Sequence, residues 1–267
     1  MGNIDHRAKV DRGATPDTTG ATRNVTATGR ALGGRKVLVT SGPTRGPIDA
    51  VRFIGNKSTG KLGSEIASEA LRRGASVVFV YGKDSLRPSV PPEEAERFRA
   101  REVETVEDLA AVAREELESG RIDVVVHAMA VLDFAPAEYR DEKTKSDREE
   151  WVIRLVRTPK VLAMIKDWDP GVFLVGFKLE FDRTHDDLLA IGLDSLRRNR
   201  ADLVVVNDFT TVEKGEHAAF VVHPDGRSEG PFVGKTAIAA ALLDRVTAGL
   251  GQLRTGSRWN RGEMSGR

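Results

Sequence analysis

The sequence predicts an α/β fold: a doubly wound, mostly parallel sheet with a β-hairpin extension. Three observations carry this expectation. Short apolar runs rich in valine recur at KVLVTS (36–41), SVVFVYG (76–82) and DVVVHA (123–128), and each suits a strand buried on both faces. Between them the apolar period becomes helical, so strands and helices alternate, and short crossovers of that kind make strands parallel. Near the end, AAFVVHPDGRSEGPF reads as a hairpin, with its turn at Pro224, Asp225 and Gly226.

The elements follow in order. After the first strand and a loop comes GKLGSEIASEALRRG, where Leu62, Ile66, Ala70 and Leu71 share one helical face and Gly74 stands where a helix ends. The strand at 76–82 is next. Weaker signals give a strand near 97–103 and a helix at about 106–119. The strand at 123–128 leads into a polar loop from Met129 to Glu150. WVIRLV (151–156) alternates with period two, as a half-buried strand does. PKVLAMIKDW is a short helix with Pro159 near its start. A strand (172–180), a helix (185–199) and a buried strand, DLVVVND (202–208), follow. The hairpin and a closing helix, GKTAIAAALLDRV, complete the unit. The whole pattern is Rossmann-like.

Composition sets the boundaries. Residues 1–35 are rich in Thr, Gly, Ala and Arg and lack aromatic residues, so they are expected to be a disordered tail. A flexible tail is expected again at 248–267, leaving one domain at 36–247. Cysteine is absent, which excludes a disulfide framework, a zinc ribbon, a thiol nucleophile and a thiolate-held cluster. The net charge is only +1, so nucleic acid is not an expected partner. No apolar run reaches the roughly 18 residues of a membrane span. The start, MGNIDHRAKVDRG, lacks the apolar core of a secretory signal. A soluble, cytoplasmic enzyme is the expectation.

In such sheets, ligands bind beyond the carboxyl ends of the strands. The connection from Ser41 to Gly63 leaves the first strand there, and it is long for a βα loop, where about 2–6 residues is common. Its glycines, Gly42 among them, let backbone approach a ligand. Ser58, Thr59 and Gly60 precede the helix, where free N–H groups and the helix dipole suit a phosphate. An ordinary loop with a Ser/Thr cap would look similar. The segment has neither the P-loop order nor G-x-G-x-x-G. Asp133 lies just past a buried strand, where a carboxylate serves a ribose, a base, a metal or simply a turn. Lys143 and Lys145 sit in a charged loop leaving the same sheet edge, where a lysine could meet a phosphoryl group as its charge rises. Phe177 ends another strand and either stacks on a base or fills core. Neither a paired-histidine metal motif nor a G-x-S-x-G elbow is present.

Read together, these segments resemble the phosphopantothenoylcysteine synthetase family across about residues 36–246. TSGPTRGPIDAVRFIGNKSTGKLG looks like its opening signature, and AMAVLDF like its Val-Ala-Asp-Phe segment. KTKS stands in place of its lysine motif, VGFKLE in place of its Gly-Phe segment, and ADLVVVND in place of its Ala-Asn-Asp segment. VGFKLE and the Arg/Asn-rich helix look most like the monofunctional members, with no flavin-dependent decarboxylase domain expected ahead of it. The resemblance implies that the carboxylate of 4′-phosphopantothenate attacks the α-phosphate of CTP or ATP, with magnesium, and that the amine of cysteine then displaces the nucleotide. It implies a homodimer. By motif match, Asn56 handles the acyl-nucleotide and Lys143 is needed to form it. Asp133, Lys145 and Phe177 contact the nucleotide, and Gly42, Ser58, Thr59 and Gly60 form the phosphate-binding turn. Where bacterial members commonly have Lys-x-Lys-Lys, the chain has Lys143, Thr144, Lys145 and Ser146, and it carries Met129 and Leu132 where alanines are usual. Two other readings share the sheet type: a paralogous ligase for another acid or amine, and a nicotinamide-dependent oxidoreductase. The missing G-x-G-x-x-G counts against the latter.

Overall fold

Continuous runs of β-branched residues need cover on both faces, so they occupy the middle of a sheet. The computed structural model describes residues 30–254 apart from Gly120, Arg148 and Lys214. In chain order its first half comprises β1 (Lys36–Ser41), β2 (Arg45–Pro47), β3 (Phe53–Gly55), α1 (Lys61–Arg72), β4 (Ser76–Gly82), β5 (Phe98–Val103), α2 (Val106–Glu118) and β6 (Val124–His127). The second half comprises β7 (Phe134–Pro136), β8 (Leu155–Arg157), α3 (Val161–Trp168), β9 (Phe173–Glu180), α4 (His185–Asn199), β10 (Leu203–Asp208), α5 (Phe209–Glu213), β11 (Ala218–Val222), β12 (Ser228–Val233) and α6 (Lys235–Arg254).

The main sheet has the order β12-β11-β10-β9-β6-β1-β4-β5. From β10 to β5 every neighbouring pair is parallel, whereas β11 and β12 add antiparallel at one edge as the expected hairpin. The doubly wound, mostly parallel α/β expectation holds. On one face α1 and α6 bury Ile66, Leu71, Ile238, Leu242 and Leu243 against β1, β4 and β9. On the other, α2, α3 and α4 bury Leu109, Leu117, Ile165 and Leu196. Each such side chain contributes about 1.5–3 kcal/mol when fully buried. Thr105 with Asp108, and Thr184 with Asp187, close reciprocal capping boxes at the starts of α2 and α4.

The structure moves three boundaries. The tails expected at 1–35 and 248–267 lie mostly outside the described residues, which begin at Arg30 and end at Arg254. Within the overlap, Leu32 is fully buried and its N–H donates to the Arg73 carbonyl at 3.0 Å, so packing starts before β1. At the other end α6 continues through Arg254. Gly249 permits this, because a Cβ there would lie 2.5 Å from the Phe173 ring. The third change concerns WVIRLV. Only Leu155–Arg157 forms a strand, and it pairs with β7 in a two-stranded ribbon outside the main sheet. Val152, Leu155 and Val156 face solvent in the single chain, Val152 most of all at 78% exposure, whereas Trp151 and Ile153 are half-buried. The long β1–α1 connection likewise contains a small hairpin, β2–β3.

The top of β4 is crowded against the loop that leaves β1. A Cβ at Gly82 would lie 1.9 Å from the carbonyl oxygen of Pro43, which is backbone and cannot rotate away. Gly82→Ala should therefore destabilise the fold by about 1–3 kcal/mol, read as a lower urea midpoint. Gly251→Ala, in open space on α6, should leave the midpoint unchanged or raise it. Equal midpoints for Gly82→Ala and the parent chain would overturn this account.

Candidate active site

Parallel strands end together, so the loops after β1, β6 and β9 gather at one edge. At β1 the chain must turn sharply. Gly42 takes φ 81, and a Cβ there would meet the Ser85 hydroxyl at 2.0 Å. The Gly42 carbonyl accepts the N–H of Ala130 at 2.8 Å, and the Ala130 carbonyl accepts the N–H of Thr44 at 3.2 Å. The loops after β1 and β6 thus run side by side. Thr44 Oγ1 extends the pairing by accepting the Leu132 N–H at 2.9 Å.

Asn56 crosses the same gap. Its Nδ2 donates to the carbonyls of Ala130 and Val131 at 3.1 and 3.4 Å. The loop before α1 is thereby held against the segment that carries Asp133. Ser58 and Thr59 lead into Gly60, which caps α1 at φ 78. The Ser41 hydroxyl donates to the Gly60 carbonyl at 2.9 Å, fixing the turn to the end of β1. In register, Gly176 of β9 stands beside His127 of β6, so Phe177 lies one residue beyond it, half-buried against the core. Gly42, Asn56, Ser58, Thr59, Gly60, Asp133 and Phe177 therefore share one edge. Lys143 and Lys145 are exposed on the loop after β7.

Several residues at this edge carry no sequence motif that singles them out. Asp49 is 3% exposed, and its carboxylate accepts three backbone N–H groups: Val51 at 3.0 Å, Arg52 at 2.9 Å and Thr144 at 3.0 Å. Burial alone would raise its pKa, but those bonds and the Arg52 guanidinium hold it below the usual carboxylate range. Arg52 donates to the Thr144 carbonyl at 2.7 Å and lies over the Trp151 ring at 4.7 Å. Thr144, between Lys143 and Lys145, is thus bound through both its N–H and its carbonyl. Lys160, at the start of α3, forms an exposed ion pair with Asp133. His127 is buried, its Nδ1 lies 3.0 Å from Thr40 Oγ1, and burial pushes its pKa down to about 4, so it is neutral at pH 7. Asp208, at the end of β10, is a turn residue. Burial works to raise its carboxyl, yet hydrogen bonds from Thr210, Arg183 and Asp182 hold it down to about 2.

Asp49 is the tie between the β1–α1 loop and the lysine loop. Asp49→Ala should free the lysine loop while the parallel sheet stays intact. The check is limited trypsin digestion, with cleavage after Lys143 and Lys145 expected to be at least about tenfold faster. Unchanged cleavage would show that the loop is held by other contacts.

The chain can now be set beside known proteins. Residues 32–250 match the model of the DNA/pantothenate metabolism flavoprotein C-terminal domain. The coenzyme A biosynthesis bifunctional protein CoaBC of Thermococcus kodakarensis is 38% identical over 217 residues, covering 81% of this chain and 52% of that protein. CoaBC of Mycobacterium tuberculosis is 34% identical over 226 residues, covering 80% of this chain and 52% of that protein. The chain therefore spans about half the length of the curated relatives it matches. The crystal structure of the DNA/pantothenate metabolism flavoprotein from Streptococcus pneumoniae superposes with a TM-score of 0.72 at 32% identity, covering 80% of this chain and 99% of that one. The family read from the five motifs holds, and the shared sheet, the shared order of loops and the match over most of the described residues lead to one statement: the chain belongs to the DNA/pantothenate metabolism flavoprotein C-terminal domain family.

Proposed function

We propose that the chain is a nucleotide-dependent ligase of coenzyme A biosynthesis, working in the cytoplasm, that joins 4′-phosphopantothenate to cysteine through an acyl-nucleotide intermediate. The observation that carries this reading is the Asn56 bridge to Ala130 and Val131, which sets a phosphate-type helix start beside the Asp133 loop. A carboxylate is a poor acylating agent until its oxygen becomes a good leaving group, and nucleotidylation supplies one. The carboxylate oxygen attacks the α-phosphorus of CTP or ATP, the α–β bond breaks and pyrophosphate leaves. The cysteine amine then attacks the acyl carbon, loses its proton and expels the nucleoside monophosphate.

This chemistry asks for oriented charge rather than an acid–base dyad. Backbone N–H groups at Ser58–Gly60 receive phosphate oxygens. Lys143 presents its ammonium to the α-phosphoryl group as negative charge builds, and Lys145 supports the same charge. Asn56 holds the acyl-nucleotide. Asp133, with Lys160 beside it, takes the ribose, and Phe177 flanks the base. Magnesium enters with the triphosphate as part of the substrate. No group of three His, Asp or Glu able to hold a metal ion gathers among the described residues, and a magnesium carried on phosphates and water needs only one or two protein carboxylates.

The reading includes a homodimer. Val51, Phe53, Phe134, Tyr139, Val152, Leu155 and Val156 are all exposed on or beside the β2–β3 and β7–β8 arms. A solvent-facing apolar concentration of that kind marks an interaction surface. The occupant proposed is a second copy of this chain.

Purified protein with magnesium, 4′-phosphopantothenate and cysteine should release pyrophosphate with CTP or ATP, compared side by side. No release with either nucleotide would overturn the coenzyme A role. Lys143→Gln should lower acyl-nucleotide formation by about 10²–10³-fold, the size of a lost transition-state donor. Asn56→Asp should still form the intermediate but convert it more slowly, seen by rapid-quench chromatography. Parent-like rates in both variants would remove those roles. Val152→Asp should turn a dimer into a folded monomer by light scattering; a dimer of unchanged mass would place the interface elsewhere.

A further inference from the structure

The β10–β11 connection carries a polar side chain that the fold leaves unsatisfied. His217 is only 9% exposed, and among the described residues neither Nδ1 nor Nε2 has a hydrogen-bond partner. Its backbone is fixed in the left-handed region at φ 42, where non-glycine residues are uncommon. Its N–H donates to the Thr211 carbonyl at 3.1 Å, and its own carbonyl accepts the Gly234 N–H at 3.1 Å. A buried imidazole without partners costs the fold stability, so its place here calls for something besides packing.

A second observation lies against it. Gly234, at φ 87, starts α6, and Lys235 is the first residue of that helix. Gly60, at φ 78, starts α1, and Lys61 is its first residue. The two helices pack side by side and begin at the same edge of the sheet. Lys235 is half-buried and forms no ion pair among the described residues. Burial, and then the neighbouring Lys61, pull its ammonium below the usual lysine range against the opposing charge of Glu65. Lys235 in turn adds to the burial that pushes His217 down to about 4. The bond from the Gly234 N–H to the His217 carbonyl and the packing of α1 on α6 thus bring two helix starts, Lys61, Lys235 and the buried His217 to one end of the helix pair, where Glu65 also acts on Lys235.

We infer that Lys61, Lys235 and His217 form an anion subsite between the first turns of α1 and α6, which takes the terminal phosphates of the nucleoside triphosphate and holds pyrophosphate as it leaves. This rests on the ligase reading above. The Ser58–Gly60 turn runs directly into Lys61, so a phosphate chain seated on the turn continues toward this subsite. When the α–β bond breaks, its electron pair goes to a β-phosphate oxygen, and the charge on the departing group rises. The two ammonium groups and both helix starts are most favourable to that state. The neutral imidazole donates one N–H to a phosphate oxygen, which gives the buried ring its missing partner.

The nucleotide tail and the 4′-phosphate of the other substrate are both phosphates, so the test separates them. Magnesium pyrophosphate would be titrated into the full chain by calorimetry, for the parent, Lys235→Gln and His217→Asn. Affinity should fall at least about tenfold in each variant, the size of one lost charge-assisted bond. The KM for nucleotide should rise and that for 4′-phosphopantothenate should stay unchanged. In the parent protein, pyrophosphate should also move the ring signals of His217 in an NMR spectrum, a readout that needs no variant to fold. Unmoved ring signals, or equal pyrophosphate affinities in folded variants, would overturn the subsite. A rise confined to the KM for 4′-phosphopantothenate would reassign it to the other phosphate and overturn it as stated. If the parent binds pyrophosphate through these residues yet releases none from CTP or ATP, the ligase reading fails and the subsite stands.

Discussion

The arrangement depends on how closely α1 approaches the end of β1. A Cβ at Gly63 would lie 2.3 Å from the Ser41 hydroxyl and 2.5 Å from its Cβ, so only glycine admits the helix at this distance. The same hydroxyl donates to the Gly60 carbonyl at 2.9 Å. One small side chain therefore sets both the start and the depth of α1. Gly60 in turn is left-handed and no side chain caps it, so the first turn of α1 keeps the unpaired N–H groups of a helix start. Gly42 and Ser85 pack against the other side of the turn. Larger residues at 41, 42, 60 or 63 would push the helix out and carry the candidate phosphate turn with it.

From that fixed point the edge is assembled by backbone pairing more than by side-chain chemistry. The loops after β1 and β6 exchange bonds at Gly42, Thr44, Ala130 and Leu132. Asn56 adds a side chain to the same ladder. Asp49 then binds the lysine loop through Thr144, and Arg52 closes the link from the other side. Two polar loops far apart in sequence, at 42–60 and 129–146, become one surface. Met129 and Leu132 root the second loop in the core, Ile54 packs the first against it, and between them a buried carboxylate stays ionised because several N–H groups point at it.

The central strands were legible because burial on both faces leaves a continuous apolar run, and β1, β4, β6, β9 and β10 all have one. The arms were not. In WVIRLV the alternation has the period of a half-buried strand, but only Leu155–Arg157 pairs, and it does so with β7 outside the main sheet, so periodicity marked a strand and misplaced its extent. The glycine-rich turn and the Asn56 and Asp133 loops were legible from position alone, since strand ends in such a sheet converge. Asp49 was not, because a carboxylate that satisfies backbone N–H groups looks like any loop aspartate until the fold brings Thr144 to it. His217 was hidden for the opposite reason. It stands just ahead of β11 with no sequence signal for burial, and the ring is enclosed only in the fold.

A near-neutral composition hides an uneven use of charge. Many arginines are neutralised by carboxylates on or beside the helices, as in Arg73 with Glu69 and Asp244, Arg101 with Glu115 and Glu116, and Arg245 with Glu229. Lysines are treated differently. Lys83, Lys160 and Lys166 are paired, whereas Lys57, Lys61, Lys143, Lys145 and Lys235 form no ion pair among the described residues. Those five all lie in loops or helix starts at the carboxyl edge of the sheet. A guanidinium suits a fixed, forked pairing with a carboxylate, and an ammonium is a compact charge on a movable stem. Arginines thus pair largely within the chain, while the five lysines share their edge with exposed acids such as Asp141 and Glu142. On the ligase reading proposed above, the movable ammonium groups at that edge are the ones that meet the phosphates.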